Sequence, residues 1–354
     1  MLNLFPLSFL LILLWQAKLC RGKGNYHRDY LSREHCSSIK GALSLVILLH
    51  HLGQSIMTGG GGRGSLLLLF AHIGGILPVA MFFFYSGYSL QKKYMCDQEY
   101  ARYFLLKRLP MVLIPYLSVT LLYWLQSYLL GQPYTLQEVL RSFYSGFPIV
   151  RFSWFILALL CFYFVFFLLM KLCKTHFSAM VLGALLYCAV WRWICIRAQI
   201  PPYWYSSIHV LAVGMGWAVW ENKITGWLQK YGWLGISIPV AAFLLIAPIS
   251  HFGAQNLNEL VVVCFVLAAA SLLTKIQFFN PILRFIGGIS FEIYLLQGLF
   301  LTGLRNSGFY LNNGFLFCLL VISGTLLAAW GAHLVFRTIL RKYRNFLSRR
   351  LHIS

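Results

Sequence analysis

The stretch Lys40–His51, reading KGALSLVILLHH, carries the residue types that a proton-transfer site inside a membrane needs. Lys40 and His51 are eleven residues apart, about three helical turns and roughly 16 Å, so they share one helix face. With Lys40 at one surface of a hydrocarbon core about 30 Å thick, His51 sits near the midplane. Ionisable groups at that depth are costly and mark function. A neutral imidazole in a partly dry cavity takes a proton from a hydroxyl at physiological pH, which is general-base chemistry. His50 is turned about 100° away on the helix and suits a supporting role or a polar contact with a neighbouring helix.

Further candidates lie along the chain. His72 follows in AHIGGILP, and Tyr85 and Ser86 lie in MFFFYSGYSL, where small residues let helix backbones approach. Arg102, Lys107 and Arg108 cluster just before Pro110. Such cations suit phosphates, and equally serve as a topology signal against lipid headgroups. Arg151 and Trp154 open RFSWFILALLCFY, and Arg192 and Arg197 precede PPYWY, which holds Trp204, with His209 after it. Aromatic rings beside cations suit sugar stacking and hydroxyl hydrogen bonding, and also resemble an ordinary interfacial belt. Glu292, in GGISFEIYLLQ, is the one acid of eight well inside an apolar run. It pairs with a cation such as Lys40 or Arg284, or orients a histidine. Gln297 can hydrogen-bond a little further along.

The elements holding these residues are membrane helices. The chain is 60% hydrophobic and 10% charged, against about 25% charged in a soluble domain. The apolar runs are continuous rather than alternating, which excludes a transmembrane β-barrel. Ten spans are expected, at roughly 41–58, 65–90, 109–130, 153–170, 177–198, 206–220, 231–250, 259–274, 285–304 and 314–336. The fold class is all-α, a polytopic membrane bundle with an additional N-terminal hydrophobic helix at residues 4–17. Residues 1–32 form that segment and a basic linker, 33–345 the membrane domain, and 346–354 a basic tail. The run GGGGRG at 59–64 reads as an external turn and lacks the ending of a phosphate loop.

Charge sets the topology. Of 29 Lys and Arg, 23 fall in the linker, in 91–108, 171–176, 221–230 and 275–284, and in the tail, against 6 in the alternate connections. The positive-inside rule makes the richer set cytoplasmic, including the C-terminus. It also accounts for the net charge of +21 without a nucleic-acid partner. The nine cysteines are scattered with no CxxC, so no metal site is expected, and they read as small buried hydrophobes.

Five stretches resemble the acyltransferase 3 family of membrane O-acyltransferases: KGALSLVILLHH, FFFYSGYSL, KRLPMVLIPY, SWFILALLCFY and GGISFEIYLLQ. Their order and spacing, over about 33–345, carry the likeness. Two positions depart from the family pattern. Lys40 stands where arginine is usual, which keeps the charge and loses the bidentate fork. Gln297 stands where many members carry a histidine. The resemblance implies a multi-pass protein of the cell inner membrane that modifies carbohydrates. Its donor would be acetyl-CoA or another acyl-CoA, a substrate rather than a bound cofactor, held by Arg102, Lys107 and Arg108. The acceptor would be a surface or lipid-linked glycan near Arg151, Trp154, Trp204 and His209, with membrane lipids around. His51 would be general base or acyl carrier, with Lys40 orienting the donor. The competing expectation is a proton-coupled transporter or flippase relaying protons through the same histidine and the buried glutamate. Inverted repeats and paired broken helices of the kind transporters use are not visible in the sequence.

Overall fold

The first long helix starts earlier than hydropathy alone suggests. Ser32 caps it, its hydroxyl accepting from the His35 backbone N–H at 3.4 Å, and Glu34 complements the positive helix start. The helix therefore runs Arg33–Thr58, and Lys40 lies about 10 Å inside it, not at its end. The expected first span began at residue 41. Its boundary differs because REHCSSI is polar enough to be missed by hydropathy yet is held helical by its cap.

The computed structural model describes residues 1–22, 24–59, 64–251, 257–306 and 313–351. The order is α1 (Leu4–Leu14), β1 (Lys18–Leu19), α2 (Arg33–Thr58), α3 (Leu66–Ile73), α4 (Ile76–Cys96), α5 (Tyr100–Leu129), α6 (Leu136–Arg141), α7 (Trp154–Cys173) and α8 (Phe177–Arg197). It continues through a 3₁₀ turn (Pro202–Trp204), α9 (Val210–Tyr231), α10 (Trp233–His251), α11 (Asn258–Leu273), β2 (Ile276–Gln277), α12 (Pro281–Gly288), α13 (Ser290–Asn306) and α14 (Gly314–Leu351). This is an all-α membrane bundle. Among the described residues α2, α5, α7, α8 and α14 are long and apolar enough to cross a membrane alone. The bent pairs α3–α4, α9–α10 and α12–α13 raise the number to as many as eight, and α1 and α11 are apolar but shorter. Each of the ten expected stretches falls on a helix. Of the run expected as an external turn, residues 60–63 fall outside the described residues.

Two expected spans are broken where glycines interrupt them. Gly74 and Gly75 separate α3 from α4, and α12 meets α13 at 73° just after Gly287 and Gly288. Asn280 caps α12 by accepting from Leu283 N–H at 2.9 Å, and Pro281 occupies the first turn, where its missing N–H costs nothing. α9 runs past its expected end at 220 through a kink at Trp220, and a 106° bend then turns the chain back into α10. α14 has 38 residues, about 57 Å, and so overhangs any bilayer it crosses.

Bilayer lipid gives little hydrophobic drive for helices to associate, so close backbone packing matters. Two crossings depend on it. In α4 against α9, a Cβ on Gly87 would collide with the Leu211 carbonyl, and one on Gly214 with the Phe84 carbonyl. In α2 against α12, Gly41 faces the Leu283 carbonyl and Gly287 the Ser37 carbonyl. These crossings fix the walls of the site described below.

Contacts sort the connections into the two groups that the charge count separates. Arg284 pairs with Glu34 (3.9 Å), Lys92 with Glu221 (2.5 Å), and the Tyr343 hydroxyl donates to the Leu106 carbonyl (3.1 Å). The short strands β1 and β2 pair antiparallel, and buried Lys275 donates to the Gly22 carbonyl at 2.8 Å. All of these join members of the basic set. On the other face Arg192 pairs with Glu259 (2.5 Å) and Arg151 donates to Thr302 (3.1 Å). The N-terminal helix α1 packs on the body: Phe9 is buried edge-on to Phe70, and the Asn280 amide donates to the Ile12 carbonyl at 2.8 Å.

Candidate functional site

Five helices each turn one stripe of residues toward a common cavity of about 260 Å³. α2 gives Lys40, Ser44 and Ile47, spaced at four and three residues, and α4 gives Val79, Phe82 and Ser86. α5 gives Arg108, Met111 and Val112, and α7 gives Phe155, Leu159 and Tyr163. α13 gives Ser290, Ile293, Tyr294 and Gln297. Spacings of three and four keep such residues on one helix face.

The lining is mostly apolar with a few placed polar groups. Ser44, Ser86 and Ser290 donate their hydroxyls to the carbonyls of Lys40, Phe82 and Gly287 at 2.8, 2.8 and 2.9 Å. Their spare lone pairs remain as acceptors. Lys40 Nζ stands 5.9 Å from the centre of the buried Tyr85 ring, a cation–π arrangement. Among the described residues no carboxylate pairs with Lys40. Gln297 is fully buried; its amide donates to the Tyr294 carbonyl at 3.3 Å, and its Oε1 has no partner. A buried amide oxygen left open on a cavity wall is an acceptor waiting for a donor group.

A second, wider cleft of about 550 Å³ adjoins the first and shares Arg108 and Met111 with it. Lys107, Arg108, Arg341 and Arg344 line it, and none of the four is in an ion pair among the described residues. The Arg108 Nε–H donates to the Tyr100 hydroxyl at 2.6 Å, which orients the guanidinium at the junction. Arg102 lies outside this lining, with its guanidinium 5.1 Å from the Tyr103 ring centre.

The paired histidines sit beyond the inner cavity rather than in its lining. His50 is buried, and its Nδ1 is 2.9 Å from the Phe70 carbonyl of α3, so Nδ1–H donates and the ring bridges two helices. His51 Nδ1 is 3.3 Å from the Gln54 amide oxygen. That contact favours the tautomer with Nδ1–H donating and leaves Nε2 as a free lone pair. The His51 ring stacks on Phe152, with centres 3.6 Å apart and planes 17° apart. Phe152 adopts φ +69°, a left-handed conformation that is strained for a bulky residue. The Tyr294 hydroxyl donates to the Phe152 carbonyl. A cavity-lining tyrosine thus holds the residue that covers His51. His72, on α3, is exposed.

The expected outer residues form two groups. Trp154 is buried, 5.9 Å from the Tyr203 ring and 6.4 Å from the Trp204 ring, and the buried Trp204 N–H has no partner. Arg151, beside them at the start of α7, donates to Thr302 of α13. His209 is elsewhere: its Nε2 bonds the Glu259 carbonyl at 3.0 Å, next to the Arg192–Glu259 pair. None of Arg151, Trp154, Trp204 and His209 lines either cavity.

Glu292 pairs with neither Lys40 nor Arg284. Its carboxylate accepts from His333 Nδ1 at 2.9 Å, and Arg284 goes to Glu34. Glu292 lines neither cavity, because the neighbouring positions 291, 293 and 294 take the cavity face of α13 and 292 faces α14. Sequence reasoning passed over His333, although a histidine inside the tenth apolar run was a visible signal. It also treated Arg341 and Arg344 as tail charges, since only the helical continuation of α14 brings them to α5. Phe152 carried no polar signal of its own, and nothing in the sequence set the Tyr294 hydroxyl apart from the chain's other tyrosines.

A family model described as an acyltransferase domain, acyltransferase 3, matches residues 38–334. Comparison with curated proteins and with solved structures returns no match.

Proposed function

The chain belongs to the acyltransferase 3 family, and from that premise we propose that it is a membrane O-acyltransferase moving an acyl group, acetyl in the simplest case, from acyl-CoA to a carbohydrate hydroxyl. The observation that carries the reading is the joined pair of cavities. An unpaired basic cleft opens through Arg108 into a narrower, largely apolar cavity holding a single lysine. A donor with a phosphorylated head and a thin acyl-thioester arm matches that shape and polarity. Lys107 and Arg108 would meet phosphates, and Lys40, roughly 16 Å along α2 from His51, would orient the donor's arm on its way to the reacting carbon.

His51 is the proposed general base. Its Nε2 takes the proton from the acceptor hydroxyl as the oxygen attacks the thioester carbonyl. The C–O bond forms, the C–S bond breaks, and the CoA thiolate leaves and is protonated by the imidazolium. Nδ1–H held toward Gln54 supports that tautomer. His50, Tyr85 and Ser86 are supporting residues around Lys40 and His51. Trp154 and Trp204, with Arg151 beside them, are the proposed acceptor side, where aromatic rings next to a cation suit a sugar. The acceptor is a surface or lipid-linked glycan, and the cytoplasm is the side of the basic cleft. His209, engaged with Glu259, takes a more distant part in that assignment.

The transporter alternative relied on Glu292 relaying protons with the midmembrane histidine. Glu292 is instead bonded to His333 and lines neither cavity, which weakens it. The test uses the full-length protein in lipid nanodiscs with labelled acetyl-CoA and glycan-bearing membrane extract. His51→Ala, at equal protein amounts, is expected to lose about 10²- to 10⁴-fold in acyl product. Unchanged product overturns the assignment of the base, and proton-coupled uptake with no acyl transfer overturns the enzyme.

A further inference from the structure

The basic cleft has two walls, and they come from opposite ends of the chain. Lys107 and Arg108 are neighbours on α5, and Arg341 and Arg344 stand one turn apart on the overhang of α14. The α5 pair borders the inner cavity through Arg108. The α14 pair lines only the wide cleft. Arg341 and Arg344 are both exposed, and neither has a carboxylate partner among the described residues. Two separated cation pairs without counter-charges suit an anion carrying phosphates at two places, one near the narrow cavity and one remote from it.

The overhang is held, not loose. The Tyr343 hydroxyl donates to the Leu106 carbonyl on α5 at 3.1 Å. His333 bonds Glu292 of α13 eleven residues before Arg344, three turns along nearly the same face of α14. These two attachments set the register that turns Arg341 and Arg344 toward α5.

We propose that Arg341 and Arg344 are specificity residues that read a phosphate on the far, nucleotide end of the acyl donor, the 3′-phosphate of CoA, while Lys107 and Arg108 take the diphosphate nearer the thioester. This rests on the acyl-CoA reading above and adds to it. The same cations also fit acidic lipid headgroups, so the experiment separates the two sources.

Binding of CoA and of 3′-dephospho-CoA is measured by calorimetry on the full-length protein and on Arg341→Ala/Arg344→Ala. Both are placed in nanodiscs of phosphatidylcholine alone and of phosphatidylcholine with phosphatidylglycerol. The unaltered protein is expected to bind CoA about tenfold more tightly than dephospho-CoA, in both lipids. The double variant is expected to weaken CoA binding to the dephospho-CoA level and leave dephospho-CoA binding within twofold. Both ligands weakening equally overturns the assignment, as does an effect seen only with phosphatidylglycerol, which would make the arginines lipid contacts. If the variant binds CoA as the unaltered protein does, the clamp fails and the donor reading stands. If the unaltered protein binds neither ligand, both fail. Because both arginines are exposed, the variant keeps its fold, and its unfolding temperature checks this directly.

Discussion

Replacing each partner of the Glu292–His333 pair in turn should give unequal costs. Nδ1 and Oε1 are 2.9 Å apart, a hydrogen bond to a carboxylate of the kind that contributes about 1.5–3 kcal/mol. Desolvation falls mainly on Glu292, because its side chain is only 9% exposed against 31% for His333. His333→Leu leaves the buried carboxylate with no partner and should cost about 3 kcal/mol. Glu292→Leu leaves an imidazole that can turn toward its exposed side, and should cost about 1–2 kcal/mol. The double leucine variant removes both polar groups together and should lie within about 1 kcal/mol of the unaltered protein. For 354 residues the unfolding entropy is about 0.7 kcal/mol per kelvin, so the expected falls in Tm are about 4 °C, about 2 °C and about 1 °C. Tryptophan fluorescence melts in one detergent at pH 7 read this directly. Additive losses, with the double variant worst, would refute the pairing, and equal single losses would refute the asymmetry.

The strained Phe152 over His51 gives a functional prediction. Phe152→Ala should lower acyl transfer several-fold and raise hydrolysis of acyl-CoA, because water gains access to the imidazole; radiolabelled acetate release measures it. Lys40→Arg should retain most activity and Lys40→Met should lose about tenfold or more, since the cavity holds that one unpaired lysine; initial rates with acetyl-CoA decide. Gly87→Val should cost more than about 2 kcal/mol by driving α4 from α9, whereas Gly226→Ala, with open space around it, should be neutral or stabilising by up to about 1 kcal/mol. Thermal melts compare the two. At α6, bonds from the Thr135 backbone N–H and hydroxyl hold the exposed Glu138 carboxyl below the usual glutamate range. This cap is therefore present above the ordinary glutamate pKa and lost as pH falls through the lowered value. Protection factors of the α6 amides, taken relative to the intrinsic exchange rate at each pH, should fall in acid, and in Thr135→Ala already at pH 7.

Much of the molecule was legible in the order of its residues. Continuous apolar runs dictate helices, since backbone groups in lipid must be satisfied within the segment. The lopsided loop charges sorted the connections into two faces, and the inter-loop contacts keep to that sorting. The motifs from KGALSLVILLHH to GGISFEIYLLQ marked the family, because helical periodicity and rare polar residues in apolar runs are local properties. Tertiary structure alone decided which polar residues meet. Helix starts moved where caps outweighed hydropathy, as Ser32 does for α2. Glu292 found His333 rather than a lysine or arginine because α13 turns its cavity face and its α14 face to different neighbours. The long continuation of α14 brought Arg341 and Arg344 beside residues more than two hundred positions earlier. Such pairings depend on helix rotation and crossing, set by backbone contacts like Gly87 on Leu211. No local pattern in one strand of sequence encodes the angle between two helices.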